Sequence, residues 1–418
     1  MRKLLVVLGL FVSINSKATG KPCTENHRPL VLVHGFLGSG DNFGPMVQQL
    51  VAQGYCASRC FVYDWNSVAR TPQQESLDRF IDSVRQVTGS AQVDLAGHSA
   101  GGGVGYSYLS DSTRANKVAH YIHIGSGAQK QTAAPQVPML NIFSMGDKVV
   151  KGGLITGAEN IVFTHYDHFE VVTADSTAQA VYTFITGKKP VENPLSRPKE
   201  KVKSFSVSGK VVSLGENTVQ QNAQLTFWQG KNVLNAQKPD FVTFTDANGR
   251  FTLKNLSSHQ APYMVEVKPA SGKRVNYFFP ALTPGDSLVY LRTLPATGMV
   301  SLLMATLPAD SAQSVLVIFS RQKAIIAGRD SLVVNDLTLS TPAWADAAKT
   351  AIAWFLFDGN KNGQTEATLL PQFGSVPFMR GLDVALKSGQ KSATVFFNGV
   401  YHKVPLVPAS QGITLVVL

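Results

Sequence analysis

Cysteine is scarce in this chain, with only Cys23, Cys56 and Cys60 among 418 residues. In an oxidising compartment, three cysteines allow one disulfide and leave one thiol over. The spacing does not decide which two residues pair. A metal site at these cysteines is the weaker alternative, because no histidine stands near them at ligand spacing.

Long apolar runs are missing beyond the N-terminus, so no transmembrane span is expected. The first residues combine the positive Arg2 and Lys3 with an apolar stretch over 4–14 and the small residues Ser16 and Ala18. This pattern predicts a signal peptide over residues 1–20, because the apolar stretch is too short for a membrane anchor. We therefore expect a secreted protein, either extracellular or periplasmic.

Charged residues are few, 16% of the chain against 44% hydrophobic residues. This balance excludes global disorder, and the length favours two or three domains. The net charge is +3 over residues 1–20, −2 over 21–187 and +10 over 188–418, which sum to +11. The basic part either contacts an anionic surface or is an ordinary solvated surface. Nucleic acid is not an expected partner, because no nucleic-acid-binding motif is present.

Strand-like and helix-like segments alternate over residues 21–187. One helix is indicated by an apolar stripe between Pro72 and Gly89, formed by Leu77, Phe80, Ile81, Val84 and Val87. Strands alternating with helices predict an α/β fold, with a mostly parallel sheet and helices on both faces. Short apolar or β-branched runs predict six strands, at 30–34, 60–65, 92–96, 118–124, 138–144 and 160–164.

The pattern changes after Gly187. Residues 188–203 carry three prolines among charges and predict a stiff, solvated linker. Beyond it, short alternating runs between turn residues predict two all-β domains, over 204–294 and 295–418, each a sandwich or barrel. The segment TLPATG at 293–298 marks the boundary between them.

The most informative motif is G-x-S-x-G, formed by Gly97, His98, Ser99, Ala100 and Gly101. An apolar strand precedes it and a helix-like run follows, which is the context of a nucleophile elbow. In such an elbow the serine hydroxyl is exposed at the top of the sheet, and small residues make room for the tight backbone turn.

A second motif, HGFLGSGDNF, begins at His34, directly after a predicted buried strand. Its Gly-rich loop can direct backbone N–H groups at an oxyanion. We assign the two donors to the amides of Phe36 and of Ala100, the residue after the nucleophile. His34 and His98 are expected to hold their loops by hydrogen bonds.

A serine nucleophile needs a histidine base and a carboxylate that orients the histidine. In this architecture the chain order is serine, acid, histidine. Asp147 follows a predicted strand, and His168 follows the next one. His165 is the main rival to His168. Three other carboxylates fit less well: Asp64 precedes the serine, Asp167 is adjacent to the histidine, and Asp175 follows it.

With these residues placed, region 28–187 resembles the α/β-hydrolase superfamily, in particular the minimal secreted bacterial lipases. The matching segments are HGFLGS, GHSAGG, GDKVV followed by GAENIVF, and HYDHFEVV, within about 40% of the chain. The resemblance implies lipase or carboxylesterase activity carried by Ser99, Asp147 and His168, with no cofactor. Little sequence is left for a lid, so strong interfacial activation is not expected.

Residues 204–294 resemble the carboxypeptidase regulatory-like β-sandwich, through VSGKV at 207–211 and TDANGRF at 245–251. Such domains are mostly non-catalytic spacers or binding modules. In the last domain, Asp358, Asn360 and Asn362 alternate as in a calcium-binding loop. Position twelve of that loop is Leu369 rather than Glu, and strands flank it, so a tight Asn/Gly hairpin turn is favoured over Ca²⁺.

The expected function is therefore hydrolysis of carboxylic esters, most simply triacylglycerol or other acyl esters, through an acyl-enzyme. One alternative is an esterase acting on a polyester or on glycan-linked acyl groups. Another is a surface-binding protein whose hydrolase domain is vestigial, which the intact serine, acid and histidine argue against.

Overall fold

The computed structural model describes residues 27–69, 71–191, 204–235, 238–257, 261–295, 297–348, 350–387 and 389–418. The predicted signal peptide, Cys23 and most of the predicted linker lie outside these ranges. No helix among the described residues is long and apolar enough to cross a membrane.

The first part of the chain forms a six-stranded sheet in the order β2-β1-β3-β4-β5-β6, with every pairing parallel. All six predicted strands are present, with ends shifted by at most two residues. The strands are β1 (Leu30–Val33), β2 (Cys60–Tyr63), β3 (Val93–His98), β4 (Val118–Ile124), β5 (Met139–Ser144) and β6 (Glu159–Phe163).

Helices cover both faces of this sheet, as predicted, and one apolar core lies on each side. One face carries α1 (Gly44–Ala52), α5 (Glu170–Thr173) and α6 (Asp175–Thr186). The other carries α2 (Gln74–Thr88) and α3 (Ala100–Leu109), with α4 (Ser112–Ala115) beyond them. Single 3-10 turns span Gly40–Phe43 and Ala57–Arg59.

The predicted amphipathic helix corresponds to α2, which ends at Gly89 in a left-handed conformation (φ +67°). Leu77, Ile81 and Val84 are buried on the core face. Val87, predicted to share that face, is instead 49% exposed. Ten residues at about 100° each place Val87 roughly 80° from Leu77 around the helix axis, at the edge of the buried face, where it is partly exposed to solvent.

The rest of the chain is mostly β-structure. Its first strands are β7 (Phe205–Ser213), β8 (Gln224–Gln229), β9 (Phe241–Phe244), β10 (Arg250–Leu256), β11 (Tyr263–Lys268), β12 (Val275–Phe279) and β13 (Val289–Thr293). After these come β14 (Leu316–Phe319), β15 (Leu332–Val334), β16 (Leu337–Thr338), β17 (Ala353–Phe357), β18 (Met379–Asp383), β19 (Ser392–Phe397), β20 (Val400–Pro405) and β21 (Ile413–Val417). Short helices span α7 (Asn232–Asn235) and α8 (Gly298–Met304), and 3-10 turns span Pro371–Phe373 and Ala409–Gln411.

The two predicted β domains share one sheet. Its eight strands run in the order β18-β17-β14-β21-β12-β11-β8-β9, so strands from both sides of the predicted boundary alternate within it. The strands of the two predicted domains meet at β21, which pairs in parallel with β12 on one side and with β14 on the other. A three-stranded sheet (β10-β7-β13) and a four-stranded sheet (β16-β15-β19-β20) complete the region.

Both faces of the eight-stranded sheet are apolar at its centre. In β21, Ile413 and Val417 belong to one core and Val416 belongs to the other. The same division holds in β14, where Val317 and Ile318 belong to opposite cores. Successive side chains of a strand point to opposite faces of the sheet. Because both faces are covered here, these strands are nearly continuous apolar runs.

Part of the difference in net charge between the two regions is neutralised by ion pairs between them. Three cations of the basic β region bind carboxylates of the mildly acidic α/β region. The pairs are Lys210 with Asp64 (2.7 Å), Arg292 with Asp41 (2.5 Å) and Arg329 with Asp167 (3.0 Å). Asp41 and Asp167 are buried and the side chain of Asp64 is only 7% exposed, so breaking any of these pairs would leave a poorly solvated carboxylate without its partner.

The thiols have different states. Cys56 is disulfide-bonded, whereas Cys60 is free. Burial raises the pKa of the Cys60 thiol to about 12, which keeps it protonated and unreactive at neutral pH.

The predicted calcium-loop residues form a turn closed by backbone amides. Asp358 accepts hydrogen bonds from the amides of Asn362 (3.2 Å) and Gly363 (2.7 Å), and Asn360 accepts a second one from Asn362 (3.0 Å). The turn does not close a hairpin as predicted, because the flanking β17 and β18 run parallel. Within the described ranges, no three His, Cys, Asp or Glu side chains are arranged to hold a metal ion.

Candidate active site

Ser99 occupies a strained turn between β3 and α3. Its φ of +55° is unusual for a residue with a side chain. Two glycines make the turn sterically accessible: a Cβ at Gly97 would collide with the backbone of Gly101, and one at Gly101 would collide with that of Val33. The Ser99 amide is fixed by the carbonyl of Ile124 at 2.9 Å. The predicted elbow residues therefore form the geometry that exposes a serine hydroxyl.

Ser99, His168 and Asp147 lie in one hydrogen-bonded chain. His168 Nδ1 is 2.7 Å from Asp147 Oδ2, and His168 Nε2 is 2.9 Å from Ser99 Oγ. Because a carboxylate only accepts, Nδ1 carries the proton and Nε2 is left to accept one from the serine hydroxyl. The side chains of His168 and Asp147 are each 2% exposed, so water has little access to this bond.

Asp147 is held in its ionised form. Burial alone would raise its pKa, but hydrogen bonds from His168 and from the amides of Val150 and Val149 outweigh burial and lower the pKa below its ordinary value. The two amides donate to Oδ1 at 2.9 and 2.8 Å. One carboxylate oxygen is thus anchored to the loop while the other orients the imidazole.

The structure separates His168 from its rival. His165 is exposed, two residues past the end of β6, and its ring contacts Thr164. His98 anchors the His168 loop, because its Nε2 donates to the His168 carbonyl at 2.9 Å. Burial, with the nearby His168 adding to it, lowers the pKa of His98 to about 3, so this ring is neutral.

The other carboxylates have structural partners. Asp64 binds Lys210 and the hydroxyl of Tyr290. Asp167 caps α5 through the amides of Phe169 and Glu170, both at 2.9 Å. Asp175 lies at the start of α6, where it binds Gln49.

Of the two predicted oxyanion donors, Phe36 borders the cavity and Ala100 directly follows Ser99 in the chain. Gly35 packs against the nucleophile so closely that a Cβ there would lie 2.9 Å from the Cβ of Ser99. Phe36 follows it and lines the cavity in front of Ser99. Ala100 is the first residue of α3, where backbone N–H groups have no partner within the helix. No hydrogen bond from either amide occurs within the described part of the chain.

An apolar cavity lies between this site and the eight-stranded sheet. One wall holds Ser99, His168 and the loop at Phe36 and Leu37. The other wall is the inner face of β12, β14, β17 and β21, which contributes Val275, Tyr277, Phe279, Val317, Phe319, Ala353, Phe355, Ile413, Leu415 and Val417. A reactant bound at Ser99 therefore meets apolar side chains from the β region.

Three site neighbours were missed at the sequence level. Phe378 stacks on His168, and Arg329 binds Asp167 beside His168. Asn217 is buried against the loop that begins at His34. All three come from the β region and belong to no recognised motif. The one signal present in the sequence was the opposite charge of the two regions, which fits the Arg329 contact.

Comparison with known proteins agrees with the architecture of the first region. A family model described as the alpha/beta hydrolase fold matches residues 28–229. A second one, described as a C-terminal domain, matches residues 303–399. The N-terminal region thus has the α/β-hydrolase fold, followed by a β-rich region.

Similar solved structures include a carboxylesterase, a lipase and a protein bound to ferulic acid. A carboxylesterase of Bacillus subtilis is 15% identical, with a TM-score of 0.30, over 39% of this chain and 85% of that one. A Bacillus licheniformis lipase is 16% identical, with a TM-score of 0.30, over 40% and 94% of the two chains. Est1E of Butyrivibrio proteoclasticus, solved with ferulic acid, is 11% identical, with a TM-score of 0.32, over 40% and 94%.

Proposed function

We propose that this protein is a secreted serine hydrolase of carboxylic esters whose acyl groups are apolar, most simply a lipase. The observation that carries the proposal is the chain Ser99–His168–Asp147 opening into an apolar cavity. A vestigial binding domain would have no need to keep the three groups at 2.7 and 2.9 Å.

In the proposed mechanism, Nε2 of His168 accepts the hydroxyl proton as Ser99 Oγ attacks the ester carbonyl carbon. The carbonyl oxygen becomes an oxyanion and accepts hydrogen bonds from the amides of Phe36 and Ala100. His168 then donates its proton to the departing alcohol, leaving an acyl group on Ser99. Water, deprotonated by the same imidazole, attacks the acyl carbon. The bond to Ser99 Oγ then breaks as the imidazolium returns the proton to that oxygen, and the carboxylic acid is released. Asp147 stays ionised throughout and stabilises the imidazolium.

The cavity supports apolar acyl groups as the substrate class. Its far wall is almost entirely aliphatic and aromatic, and transfer of each buried CH₂ from water contributes about 0.8 kcal/mol. Tyr277 is the polar residue on that wall, but its hydroxyl donates to the carbonyl of Arg292 at 2.8 Å and is therefore satisfied. The cavity is also lined by Arg292 and Arg321, whose charges are paired with Asp41 and Asp286. An acyl chain fits this surface better than a sugar would.

Export is supported by the N-terminal pattern and by the disulfide at Cys56, because disulfides persist in oxidising compartments. Contact of the basic β region with an anionic surface remains a proposal. At least Lys210, Arg292 and Arg329 are already paired within the molecule and add little to such a surface.

The decisive experiment combines labelling with turnover. The wild-type protein should react with a fluorophosphonate probe at Ser99 and hydrolyse p-nitrophenyl esters, preferring longer acyl chains. Ser99→Ala should lose both properties while keeping its thermal unfolding temperature. His165→Ala serves as a matched control, because this exposed histidine lies three residues from His168. Unchanged turnover in Ser99→Ala would refute the mechanism.

A further inference from the structure

The turn that follows β7 inserts into the catalytic region. Asn217 lies in this turn, is only 6% exposed, and has a left-handed backbone (φ +54°) fixed by its amide, which donates to the Ser213 carbonyl at 3.0 Å. Asparagine tolerates this conformation better than most residues with a side chain. The turn therefore presents one amide side chain, in a fixed orientation, to the loop that begins at His34.

Both polar atoms of that side chain form hydrogen bonds with the loop or with the adjacent Trp65. Asn217 Nδ2 donates to the carbonyls of Gly38 and Trp65, both at 2.9 Å, and lies 3.2 Å from His34 Nε2. Asn217 Oδ1 accepts from the hydroxyl of Ser39 at 2.6 Å. Because a buried amide group left without hydrogen-bond partners costs free energy, these bonds fix the orientation of the Asn217 side chain.

His34 has the protonation state that this arrangement requires. Burial lowers its pKa, so the ring is neutral. Nδ1 donates to the carbonyl of Gly35 at 2.9 Å, which leaves Nε2 as an acceptor facing Asn217 and the Trp65 amide. The side chain from the β region thus fixes a histidine that holds the backbone one residue before Phe36.

The same turn holds the loop on the other side of Phe36. The amide of Leu37 donates to Ser67 Oγ at 2.9 Å, and that hydroxyl donates to the carbonyl of Gly215 at 3.2 Å. The positions before and after Phe36 are therefore both tied to residues 215–217. The Phe36 amide lies between these ties, so its direction follows from them.

We infer that Asn217 is a positioning residue for the oxyanion hole. It acts through His34 and Gly38 to aim the Phe36 amide at the oxyanion, and the catalytic site is incomplete without the β region. This inference rests on the proposed serine-hydrolase mechanism. It is specific to the transition state, because the amide is needed where negative charge develops rather than where the ester first binds.

The test compares full-length variants at a temperature well below unfolding. Asn217→Gly keeps access to the left-handed backbone and removes the side chain. Removal of an oxyanion donor typically lowers kcat by about 100- to 1,000-fold, and misdirection of one should cost roughly 10- to 100-fold. We expect that loss in kcat for p-nitrophenyl butyrate with KM within twofold of wild type, and a parallel loss in the rate of Ser99 phosphonylation.

The controls separate positioning from folding. Leu225→Ala removes a fully buried side chain of the β core and should lower the unfolding temperature while leaving kcat within twofold. Should Asn217→Gly not fold, Ser67→Ala interrupts the link from Leu37 to Gly215 without touching Asn217, and should lower kcat several-fold.

The outcomes are distinguishable. Absence of Ser99 labelling in the wild type would mean that the proposed function itself is wrong. Wild-type labelling together with a folded Asn217→Gly that keeps full kcat would overturn the positioning role alone. An unchanged kcat in a folded Ser67→Ala, where Asn217→Gly is not folded, would overturn it as well.

Discussion

The phenyl ring of Phe378 stacks on the imidazole of His168, with centroids 5.7 Å apart and planes inclined by 7°. Phe378 has a left-handed backbone (φ +66°), which is strained for a large side chain. Its carbonyl accepts hydrogen bonds from the amides of Ile352 (2.9 Å) and Ala353 (3.0 Å), which keep the residue in place. Such strain, maintained by surrounding contacts, suggests that the ring serves the site.

Replacing the aromatic ring should weaken catalysis more than stability. An aromatic pair contributes about 0.5–1.5 kcal/mol beyond its buried area, so Phe378→Leu should lower kcat/KM roughly 2- to 10-fold. Phe378→Tyr keeps the ring and should remain near the wild-type value. The measurement is steady-state hydrolysis of p-nitrophenyl butyrate. Equal losses in the two variants would contradict a role for stacking.

Opposite faces of β21 should respond differently to substitution. Leu415 lines the cavity, whereas Val416 packs into the core on the other face. Leu415→Trp should reduce turnover of long-chain esters at least 10-fold more than that of acetate esters, by filling the space for the acyl chain. Val416→Ala should instead lower the free energy of unfolding by about 2 kcal/mol with no change in chain-length preference. A chain-length series and urea unfolding check both results, and an unchanged preference in Leu415→Trp would place the acyl group elsewhere.

Arg329 joins the β region to the loop that carries His168. It binds Asp167 (3.0 Å), Glu170 (2.9 Å) and Asp330 (2.8 Å). Arg329→Met leaves buried carboxylate oxygens without this partner and should cost about 1–3 kcal/mol in urea unfolding.

An arginine in an exposed ion pair provides the control for the Arg329 substitution. Arg85→Met breaks an exposed pair with Asp82 and should change the free energy of unfolding by less than about 0.5 kcal/mol. Adding Asp167→Asn to Arg329→Met should recover part of the loss, because the buried charge of Asp167 is then removed and Asp330 keeps Lys323 as a partner at 2.7 Å. Equal effects of the two arginine substitutions would mean that the interface pair contributes nothing special.

Stability should fall as the solution is acidified from neutral pH. The pKa of His98 is lowered to about 3 in the folded protein, mainly by burial, and burial lowers that of His34 as well. An unfolded histidine titrates near 6.5, so below that pH the unfolded chain binds more protons than the folded one. The contribution of these rings is therefore fully present above about pH 6.5 and is lost progressively below it.

Urea unfolding at pH 8, 6.5 and 5 measures this decline. His98→Gln removes the titrating ring and should flatten the curve between pH 6.5 and 5. His165→Gln alters an exposed histidine and should leave the slope unchanged. A slope that is the same in wild type and His98→Gln would show that another group controls it.

The α/β region was predictable because its signals are local. The strands are short apolar runs between turn residues, and Gly97 of the elbow is dictated by its contact with the backbone of Gly101, four residues later. Asp147 and His168 could be chosen because parallel strands deliver their following loops to one edge of the sheet. These features depend on periodicity and chain order, which a single sequence displays.

The β region was less predictable because its structure depends on distant pairings. Nothing in the sequence around β12 indicates that its partner is β21, since strand pairing leaves no local motif. Phe378 and Asn217 reach the site only through that long-range architecture. The sequence around each of them consists of ordinary turn residues. Only the three-dimensional arrangement therefore identifies them as neighbours of the site.

The position of β21 also governs how the molecule assembles. During synthesis it is the last of the described strands to emerge, yet it must insert between β12 and β14, which wait with unpaired edges until then. Such distant parallel pairings form slowly, and the waiting edges are prone to intermolecular association. The far wall of the cavity is consequently completed only after β21 has been synthesised. Enclosure of Ser99 by this wall therefore depends on the strand that is synthesised last among those described.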